Sequence, residues 1–391
     1  MRGKTFIPQE YDVFAGLDVD KTSISITFTN HQGAIRSLRL PYSGEHWLRH
    51  VRKHFPDQRV AFAYEAGPTG YGLHDGLVAH AYRCVIATPS MIPKAPGQRV
   101  KTNRLDSVTL SENLRGGQLK SIHVPSPVYR ELRHLTQLRD SCVAELVAMK
   151  QRVKSLLLFE GLRFPPAPPG SQWSGAVKAQ LRQLPCAGAV CFKLDQLLDS
   201  VAFAEQQVRT TTREIRRFCQ RQAELAQCLH YLMTVPGIGG IVATQFLARL
   251  GDWRELRNGR EVAGFLGVVP RERSTGDSIV RGSITHTGDG RLRSTRIQAA
   301  WAAIRQDGEL RAFYPRVARR HPRDRGARVA IVAVARKLCV RMALVLRQQR
   351  PYVVSATVQS TPLTQAETVP QGPTRRQAEP GTAQAASGFE H

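Results

Sequence analysis

The chain has 391 residues, and its 56 Lys and Arg against 31 Asp and Glu give a formal charge of +25. Hydrophobic residues make up 42% of the sequence, which excludes a disordered basic protein and allows two or three domains with cores of their own. A folded chain of this charge favours a polyanionic partner, and nucleic acid is the first candidate. Because the charge is spread along the chain, a membrane-surface role is less well supported.

The cysteines and the apolar segments indicate the cellular compartment in which the protein is expected. Seven cysteines show neither a CxxC pair nor the spacing of a zinc site, which indicates reduced thiols in a cytoplasmic protein. The first residues lack the apolar run of a signal peptide. The most apolar late stretch is interrupted by Arg336, Lys337 and Arg341, and this pattern indicates a buried helix rather than a membrane span.

Residues 1–125 are predicted to form an α/β domain with a mixed sheet and helices on both faces. Runs of β-branched and apolar residues predict strands, and apolar spacings of three and four predict helices. The predicted strands are "VFAGLDVDKTSISITFTN", "GAIRSLRLPYS", "RVAFAYEAG", "RCVIATP" and "SIHVP", and the predicted helices are "GEHWLRHVRKHF", "YGLHDGLVAHAY" and "TNRLDSVTLSENLRGG".

Residues 126–232 are predicted to form a helical, coiled-coil-like segment. Apolar residues three and four apart from Val128 to Leu156 predict one long amphipathic helix. A proline-rich break follows at 164–170, and a second long helix is predicted from about 195 to 232. Two antiparallel helices packed within the chain are the expected arrangement, and dimerisation through them stays open.

Residues 233–354 are predicted to form a third, mainly helical domain. Its first motif, "LMTVPGIGGIVATQFLARLGD", resembles a helix-hairpin-helix, in which the backbone N–H groups of Gly237 and Gly239 suit a phosphate oxygen. The alternative is a tight turn whose glycines only permit close helix packing. Residues 355–391 are polar and rich in Pro, Gln and Thr, and we expect them to be a disordered tail.

Three acidic residues at predicted element ends form a candidate metal site. Asp18 lies in a run typical of a buried strand, where a charge is costly unless it is paired or binds a metal. Glu65 ends a second apolar strand, and Asp106 lies in the first turn of a helix. Alone, each is better explained as a strand end, a solvent-facing side chain or a partner of the helix dipole. Together, in so basic a chain, they favour Mg²⁺ or Mn²⁺. Asp20 shares a strand face with Asp18 and could join them.

Two hydroxyl groups and a basic run complete the candidate residues. Ser274 and Thr275 are expected in a Gly-punctuated loop, where a hydroxyl near guanidinium groups could attack a phosphodiester. Capping or passive phosphate binding is the commoner role of such hydroxyls. The run "RVARRHPRDRGAR" favours phosphate contacts that set affinity rather than sequence choice. The arginines expected to bind nucleic acid are Arg271, Arg273, Arg281, Arg319, Arg320, Arg323 and Arg325.

In this order, these motifs resemble the insertion-sequence transposases with a DEDD catalytic domain, the IS-one-ten family, some of which are guided by a bridge RNA. The resemblance covers roughly residues 11–350. It implies an RNase H/RuvC-like catalytic domain, a coiled-coil segment and a C-terminal transposase domain with a nucleophilic serine. It also implies a bacterial, nucleoid-associated enzyme that excises and inserts DNA, with a guide RNA and a higher oligomer as further expectations. It rests on "GLDVDK", "YEAGPTGYGL", "RVKTNRLDS", "VPGIG", "LGVVP", "STGDS", "DGRLR", "AAWAAI" and "AIVAVARKL".

The chain departs from the family pattern at two places. Where the family has two aspartates three residues apart, this chain has Asn103 and Asp106. Both can point at one ion from the same helix face, but a charge is lost, and we expect a weakened metal centre. Thr275, preceded by Ser274, stands where the family has a serine directly before glycine, so either could be the nucleophile. Two alternatives stay open: a metal-dependent nuclease or junction resolvase without a covalent step, and a degenerate descendant that only binds nucleic acid.

Overall fold

A computed structural model describes most of the chain, and the predicted tail at 355–391 lies outside the described residues. The described ranges are 6–67, 69–93, 102–255, 258–265, 267–275, 278–284 and 290–353. Within them, the side chains left undescribed are those of residues 44, 45, 255, 273–275, 278–281, 291, 292, 323 and 324.

Five strands form one mixed sheet: β1 (Val13–Val19), β2 (Ser23–Asn30), β3 (Gly33–Pro41), β4 (Val60–Glu65) and β5 (Arg83–Ala87). Their order across the sheet is β3-β2-β1-β4-β5. The first three make an antiparallel meander, and β4 and β5 run parallel to β1. The expected strand at "SIHVP" is reduced to one bridge between Ala87 and Ser121. The run "VFAGLDVDKTSISITFTN", predicted as one strand, is instead two strands, β1 and β2, which pair antiparallel with each other.

Helices cover both faces of this sheet, as the sequence predicts. On one face, α1 (Gly44–His54) and α2 (Gly72–Ala79) pack against a core that includes Phe28 and Phe62. On the other face, α3 (Asn103–Arg115) buries Leu114 against a thinner layer built from Phe14 and the small side chains of β4. The alternation of side chains along each strand supplies both apolar faces at once.

Gly16 allows α3 to lie close to β1. A Cβ atom at this position would overlap the backbone of Ser107 and Ser111, so only glycine fits. The hydroxyls of Thr27 and Ser107 are 2.8 Å apart and join the helix to β2. Since Leu114 packs near Phe14 and Ser107 lies over Gly16, α3 runs antiparallel to β1. Its N-terminus therefore lies at the carboxyl ends of β1 and β4.

Two long antiparallel helices form the helical segment, α4 (Pro127–Phe159) and α6 (Gly188–Arg221), with α5 (Gly175–Arg182) between them in the chain. Val153 packs with Leu198 at one end, and Leu132 packs with Ile215 at the other, which confirms the predicted antiparallel pair.

The predicted continuous helix from about 195 to 232 is wrong at both its start and its middle. The helix already begins at Gly188, and it ends at Arg221, because Gln222 adopts an extended conformation with φ −108° and ψ 102°. The next helix, α7 (Ala223–Met233), turns Leu225 and Leu232 into the core of the C-terminal unit.

The expectation of reduced thiols is wrong for two of the seven cysteines. Cys186 and Cys191 form a disulfide, since the turn that leads into α6 brings their Cα atoms to 5.6 Å. The spacing of five residues matches no familiar redox or metal motif, so this disulfide could not be predicted from the sequence. The other five cysteines are buried free thiols.

The C-terminal unit packs around α12 (Arg323–Gln348), whose buried residues include Val334, Leu338 and Met342. The apolar stretch expected to be a buried helix is part of α12, and no helix among the described residues is long and apolar enough to cross a membrane. The elements of this unit are α8 (Gly240–Leu250), α9 (Gly259–Phe265), β6 (Pro270–Thr275), β7 (Ser278–Ile284), α10 (Gly290–Gln306), α11 (Gly308–Ala318) and α12 (Arg323–Gln348).

Candidate active site and nucleic-acid interface

Asp18 and Glu65 lie level with each other on neighbouring parallel strands. Leu17 of β1 pairs with Tyr64 of β4, so the next residue of each strand stands beside the other at the carboxyl end. Neighbouring strands are about 4.8 Å apart, and residues at the same level point to the same face. Asp18 shares its face with Gly16, which lies under α3. Asp18 is half-buried and Glu65 is exposed.

The first turn of α3 brings Asn103 and Asp106 to the same corner of the sheet. Thr102 caps this helix, with its Oγ1 accepting a hydrogen bond from the Leu105 N–H at 3.3 Å. The side-chain amide of Asn103 donates to Oδ2 of Asp20 at 3.4 Å. The start of α3 therefore contacts the segment that directly follows β1. The corner carries Asp18, Asp20, Glu65, Asn103 and Asp106, a set we call the carboxylate corner.

The donor chemistry of the carboxylate corner suits a hard divalent cation, because every side chain in it offers oxygen. Among the residues that the structure describes, no group of three or more His, Cys, Asp or Glu side chains is arranged to hold a metal ion. The register of β1 and β4 and the placement of α3 thus bring the predicted residues to the same end of the sheet. Their convergence on one or two ions stays a prediction.

The loop after Glu65 is fixed by two hydrogen bonds that the sequence reasoning missed. The Tyr64 hydroxyl donates to the Gly70 carbonyl oxygen at 2.9 Å, and the Ala66 N–H donates to the Ala87 carbonyl oxygen at 2.9 Å. Burial raises the pKa of Tyr64, so its hydroxyl stays protonated and keeps donating. The only sequence signal was the tyrosine directly before the acid in "YEAGPTGYG".

Gly237 is a packing glycine, and its predicted phosphate contact is not supported. Its φ is +81°, and a Cβ atom there would lie 2.5 Å from the Ala299 carbonyl oxygen in α10. Its N–H already donates to Oε1 of Gln306 at 2.8 Å. Gly239 differs, because it caps α8 and has nothing within 4 Å of where a Cβ would be. For Gly239 the phosphate contact stays a prediction.

Ser274 and Thr275 lie at the end of a strand and not in the expected loop. They form the last residues of β6 and pair with Ile279 and Ser278 of β7. Their side chains and residues 276 and 277 are outside the described part of the chain. Both candidate nucleophiles therefore sit near the tip of a β-hairpin. Of the arginines expected around them, Arg271 is exposed, and the side chains of Arg273 and Arg281 are undescribed.

The basic run spans the end of α11, the connection at 319–322 and the start of α12. Arg319 caps the C-terminus of α11, and Arg319, Arg320 and Arg325 are all exposed. The connection is tight because Gly326 packs against α11, where a Cβ atom would lie 2.5 Å from the Ala318 carbonyl oxygen. We call Arg319 and Arg320 of the connection, together with Arg325 in the first turn of α12, the arginine loop. The side chain of Arg323, also predicted to bind nucleic acid, is undescribed.

The sequence comparisons define the class of the protein, a transposase with a DEDD-type catalytic domain. A DEDD transposase model of the IS110 type matches residues 15–160, and a second model, described as "Transposase IS116/IS110/IS902 family", matches residues 229–315. The first range includes the carboxylate corner, and the second includes the hairpin with Ser274 and Thr275. The arginine loop lies beyond both ranges.

Relatives with assigned names agree with this class. The Sinorhizobium fredii protein y4qE, named as a transposase, is 31% identical over 294 residues, which cover 74% of this chain and 71% of that one. The Yersinia enterocolitica "Transposase for insertion sequence element IS1328" is 26% identical over 64% of this chain and 73% of its own. The "Pilin gene-inverting protein" of Moraxella bovis is 23% identical over 87% of this chain and 97% of its own.

The chain belongs to the IS116/IS110/IS902 family of transposases, enzymes that cut and recombine DNA. This confirms the family and the DNA partner expected from the sequence motifs. The DEDD catalytic domain further implies dependence on a divalent metal ion.

Proposed function

We propose that this chain excises and inserts an insertion sequence by cutting and rejoining DNA at the carboxylate corner with help from a C-terminal hydroxyl group. The observation that carries the proposal is the parallel register of β1 and β4, with Asp18 level with Glu65 beneath the start of α3. The strand order β3-β2-β1-β4-β5, with a meander followed by two parallel strands, supports an RNase H/RuvC-like fold for this unit.

In this proposal Asp18, Glu65 and Asp106 hold Mg²⁺ or Mn²⁺. The bound ions supply Lewis-acid stabilisation of the attacking and leaving oxygens of a phosphodiester. Asp18 and Asp106 are half-buried, and Glu65 is exposed. Glu65 and Asp106 approach from the neighbouring strand and from the helix.

Asp20 is proposed to supply the charge that Asn103 lacks. The amide of Asn103 donates to Asp20, which brings the Asp20 carboxylate to the first turn of α3. A carboxylate near a helix N-terminus is favoured by the helix dipole. The carboxylate corner then keeps four acidic groups, those of Asp18, Asp20, Glu65 and Asp106. The fourth charge comes from the segment that follows β1 instead of from α3.

Ser274 or Thr275 is proposed as the nucleophile. Its hydroxyl oxygen forms a bond to phosphorus, the bond from phosphorus to one deoxyribose oxygen breaks, and the hydroxyl proton ends on the released deoxyribose hydroxyl. The position of both residues near a hairpin tip supports this role, since a tip can reach the DNA backbone. The extra methyl group of threonine crowds an in-line attack, which favours Ser274.

The arginine loop and Gly239 are proposed to bind the DNA backbone. Exposed guanidinium groups form bidentate contacts with phosphate oxygens, and these contacts position DNA without reading its sequence. Site choice by a guide RNA and assembly into a higher oligomer are parts of the proposal that rest on the family resemblance. A relative named as a pilin gene-inverting protein supports DNA recombination as the reaction.

Trapping a protein–DNA adduct tests this function against the nuclease alternative. Duplex DNA with the native element end is incubated with wild type, Ser274→Ala and Thr275→Ala, and the products are denatured and separated by size. We expect a covalent adduct with wild type that is lost in one of the two variants. Cleavage without any adduct would instead support a nuclease or resolvase that uses the carboxylate corner alone.

A further inference from the structure

The level shared by Asp18 and Glu65 continues across the sheet to its edge strand. Asp18 of β1 pairs with Ser25 of β2, and Ser25 pairs with Arg39 of β3. Residues paired across neighbouring strands point to the same face, so all four residues form one row on the face that carries α3. Because neighbouring strands are about 4.8 Å apart, the backbone of Arg39 lies about 10 Å from that of Asp18.

The β2 and β3 end of this row is polar and partly open to solvent. Thr27 is buried beneath α3, where its hydroxyl lies 2.8 Å from that of Ser107. One step nearer the carboxylate corner, Ser25 is only half-buried, and Arg39 is exposed. Hydroxyl and guanidinium groups are side chains that bind the phosphate oxygens of DNA. The sheet surface beside Asp18 therefore suits the backbone of a nucleic-acid strand.

The side chain of Arg39 is held towards the end of the sheet that carries the carboxylate corner. Its Nε donates to Oγ of Ser23 at 2.9 Å. Ser23 is the first residue of β2 and pairs with Pro41, so it lies at the same end of the sheet as the last residues of β1. Among the described residues, no hydrogen bond or ion pair engages the two terminal nitrogens of Arg39, which can both donate to a phosphate.

A DNA strand at the carboxylate corner needs a cation beside the phosphate that is cut. Every nucleotide carries a negative charge, and the metal ions neutralise only the reacting phosphate. The carboxylates of the corner repel the neighbouring phosphates. An arginine in line with Asp18 and Glu65 offsets this repulsion, and its planar fork fixes the orientation of a phosphate as well as its position.

We propose that Arg39 binds the phosphate next to the one that is cut and so holds the DNA strand along the row from Asp18 to Arg39. The inference rests on the proposed function, because that function places DNA cleavage at the carboxylate corner. The contact differs from those of the arginine loop, since it acts on the strand that is being cut. Its loss should slow cleavage by misplacing the reacting phosphate.

Arg39→Gln tests the contact, and Arg36→Gln is the matched control. Arg36 is an equally exposed arginine of β3, but it pairs with Phe28 and points to the opposite face of the sheet. Single-turnover cleavage is measured on duplex DNA with the native element end, at protein concentrations below saturation. We expect Arg39→Gln to lower the rate by roughly tenfold and Arg36→Gln to leave it within about twofold of wild type, with both Tm values unchanged.

DNA that lacks a single charge identifies the phosphate. One phosphate at a time around the cut is replaced by an uncharged methylphosphonate, which removes the partner of Arg39. At one of the two phosphates that flank the cut one, this replacement should slow wild type by roughly tenfold and should slow Arg39→Gln no further, because the contact is already absent. Arg36→Gln should respond to the replacement as wild type does.

Three outcomes contradict the account, each at a different step. Equal losses in Arg39→Gln and Arg36→Gln, or effects of Arg39→Gln and methylphosphonate that multiply at both flanking positions, overturn the Arg39 contact. An Asp18→Asn variant that cleaves at the wild-type rate overturns the proposed function, and the inference with it. An inactive Asp18→Asn beside an Arg39→Gln variant that cleaves as wild type does overturns the inference alone.

Discussion

Arg130 of α4 and Asp75 of α2 form a bidentate ion pair, with hydrogen bonds of 2.7 and 3.1 Å, across the boundary between the helical segment and the sheet unit. The arginine side chain is 17% exposed and the aspartate 46% exposed, so solvent screens the pair in part. The planar guanidinium group binds both carboxylate oxygens, so the contact fixes the relative orientation of the two side chains as well as contributing energy. The pair sets where α4 leaves the sheet unit.

Stability should depend on pH through this pair. Burial opposes ionisation of Asp75, but its hydrogen bonds to Arg130 and His74 outweigh burial, and its pKa is lowered. A lowered carboxyl pKa contributes stability above the unfolded value of about 4, and the contribution is lost as pH falls through the folded pKa. Asp75→Asn should therefore lower the free energy of unfolding by at most about 1 kcal/mol at pH 7 and by less at pH 3. Urea unfolding of wild type and Asp75→Asn at both pH values measures this. An effect of the substitution that is as large at pH 3 as at pH 7 would contradict the prediction.

Gly16→Ala should destabilise the sheet unit strongly. The added methyl group would overlap the backbone of Ser107 and Ser111, and backbone cannot move aside as a flexible side chain can. We expect a loss of about 3 kcal/mol or more, together with displacement of α3 from the carboxylate corner. Gly72→Ala is the control, because Gly72 begins α2 with nothing within 4 Å of the new methyl group. Thermal unfolding of both variants checks the prediction, and equal Tm values would refute it.

Exchanging the charges of Asp20 and Asn103 should preserve metal affinity. Asp20→Asn removes a carboxylate but keeps an oxygen that can accept the Asn103 amide, so the fold should be unchanged. Loss of one charge near the ion should weaken Mn²⁺ binding by roughly tenfold, measured by isothermal titration calorimetry. Adding Asn103→Asp to this variant should restore most of the affinity. If Asp20→Asn binds Mn²⁺ as wild type does, Asp20 has no part in the site.

The arginine loop should set the salt dependence of DNA binding. Replacing Arg319 and Arg320 with glutamine removes two exposed charges from the connection between α11 and α12. DNA affinity should fall for all sequences alike, and the slope of log K against log salt should shrink by about 1 per lost phosphate contact. Arg163→Gln, at an exposed arginine directly before the proline-rich break, should leave the slope unchanged. A change of sequence preference in the double variant would argue against a phosphate-only role.

Hydrophobic periodicity predicted β3, β4 and β5, the helices on both sheet faces and the antiparallel pair α4 and α6, because burial sets these patterns locally. It did not separate β1 from β2, since both strands carry apolar residues and only a short turn divides them. The break in the helix at Gln222 was missed, since it depends on the packing of Leu225 and Leu232 into the core of the C-terminal unit. The strand that contains Ser274 was missed because glycine and hydroxyl residues are also typical of loops. The contact of Asn103 with Asp20 joins residues 83 positions apart, which no local pattern encodes.

The residues of the candidate site and their places at the ends of strands and helices could be predicted from the sequence. How these residues are placed relative to one another could not. Asp18 and Glu65 were identified because charges at the ends of apolar strands are costly without a partner. Their common level follows from the parallel register of β1 and β4, and the approach of α3 follows from Gly16. The glycines of "VPGIG" show the opposite case, since Gly237 serves packing against α10.

The most direct test of the carboxylate corner is excision and insertion of a plasmid-borne element with its native flanking DNA, which also supplies any guide RNA encoded there. Wild type is compared with Asp18→Asn and with Asp57→Asn, an exposed aspartate at the opposite end of β4. We predict that Asp57→Asn recombines as wild type does and that Asp18→Asn, folded and still bound to DNA, yields no excised or inserted product. Recombination by Asp18→Asn at the wild-type rate would contradict the account.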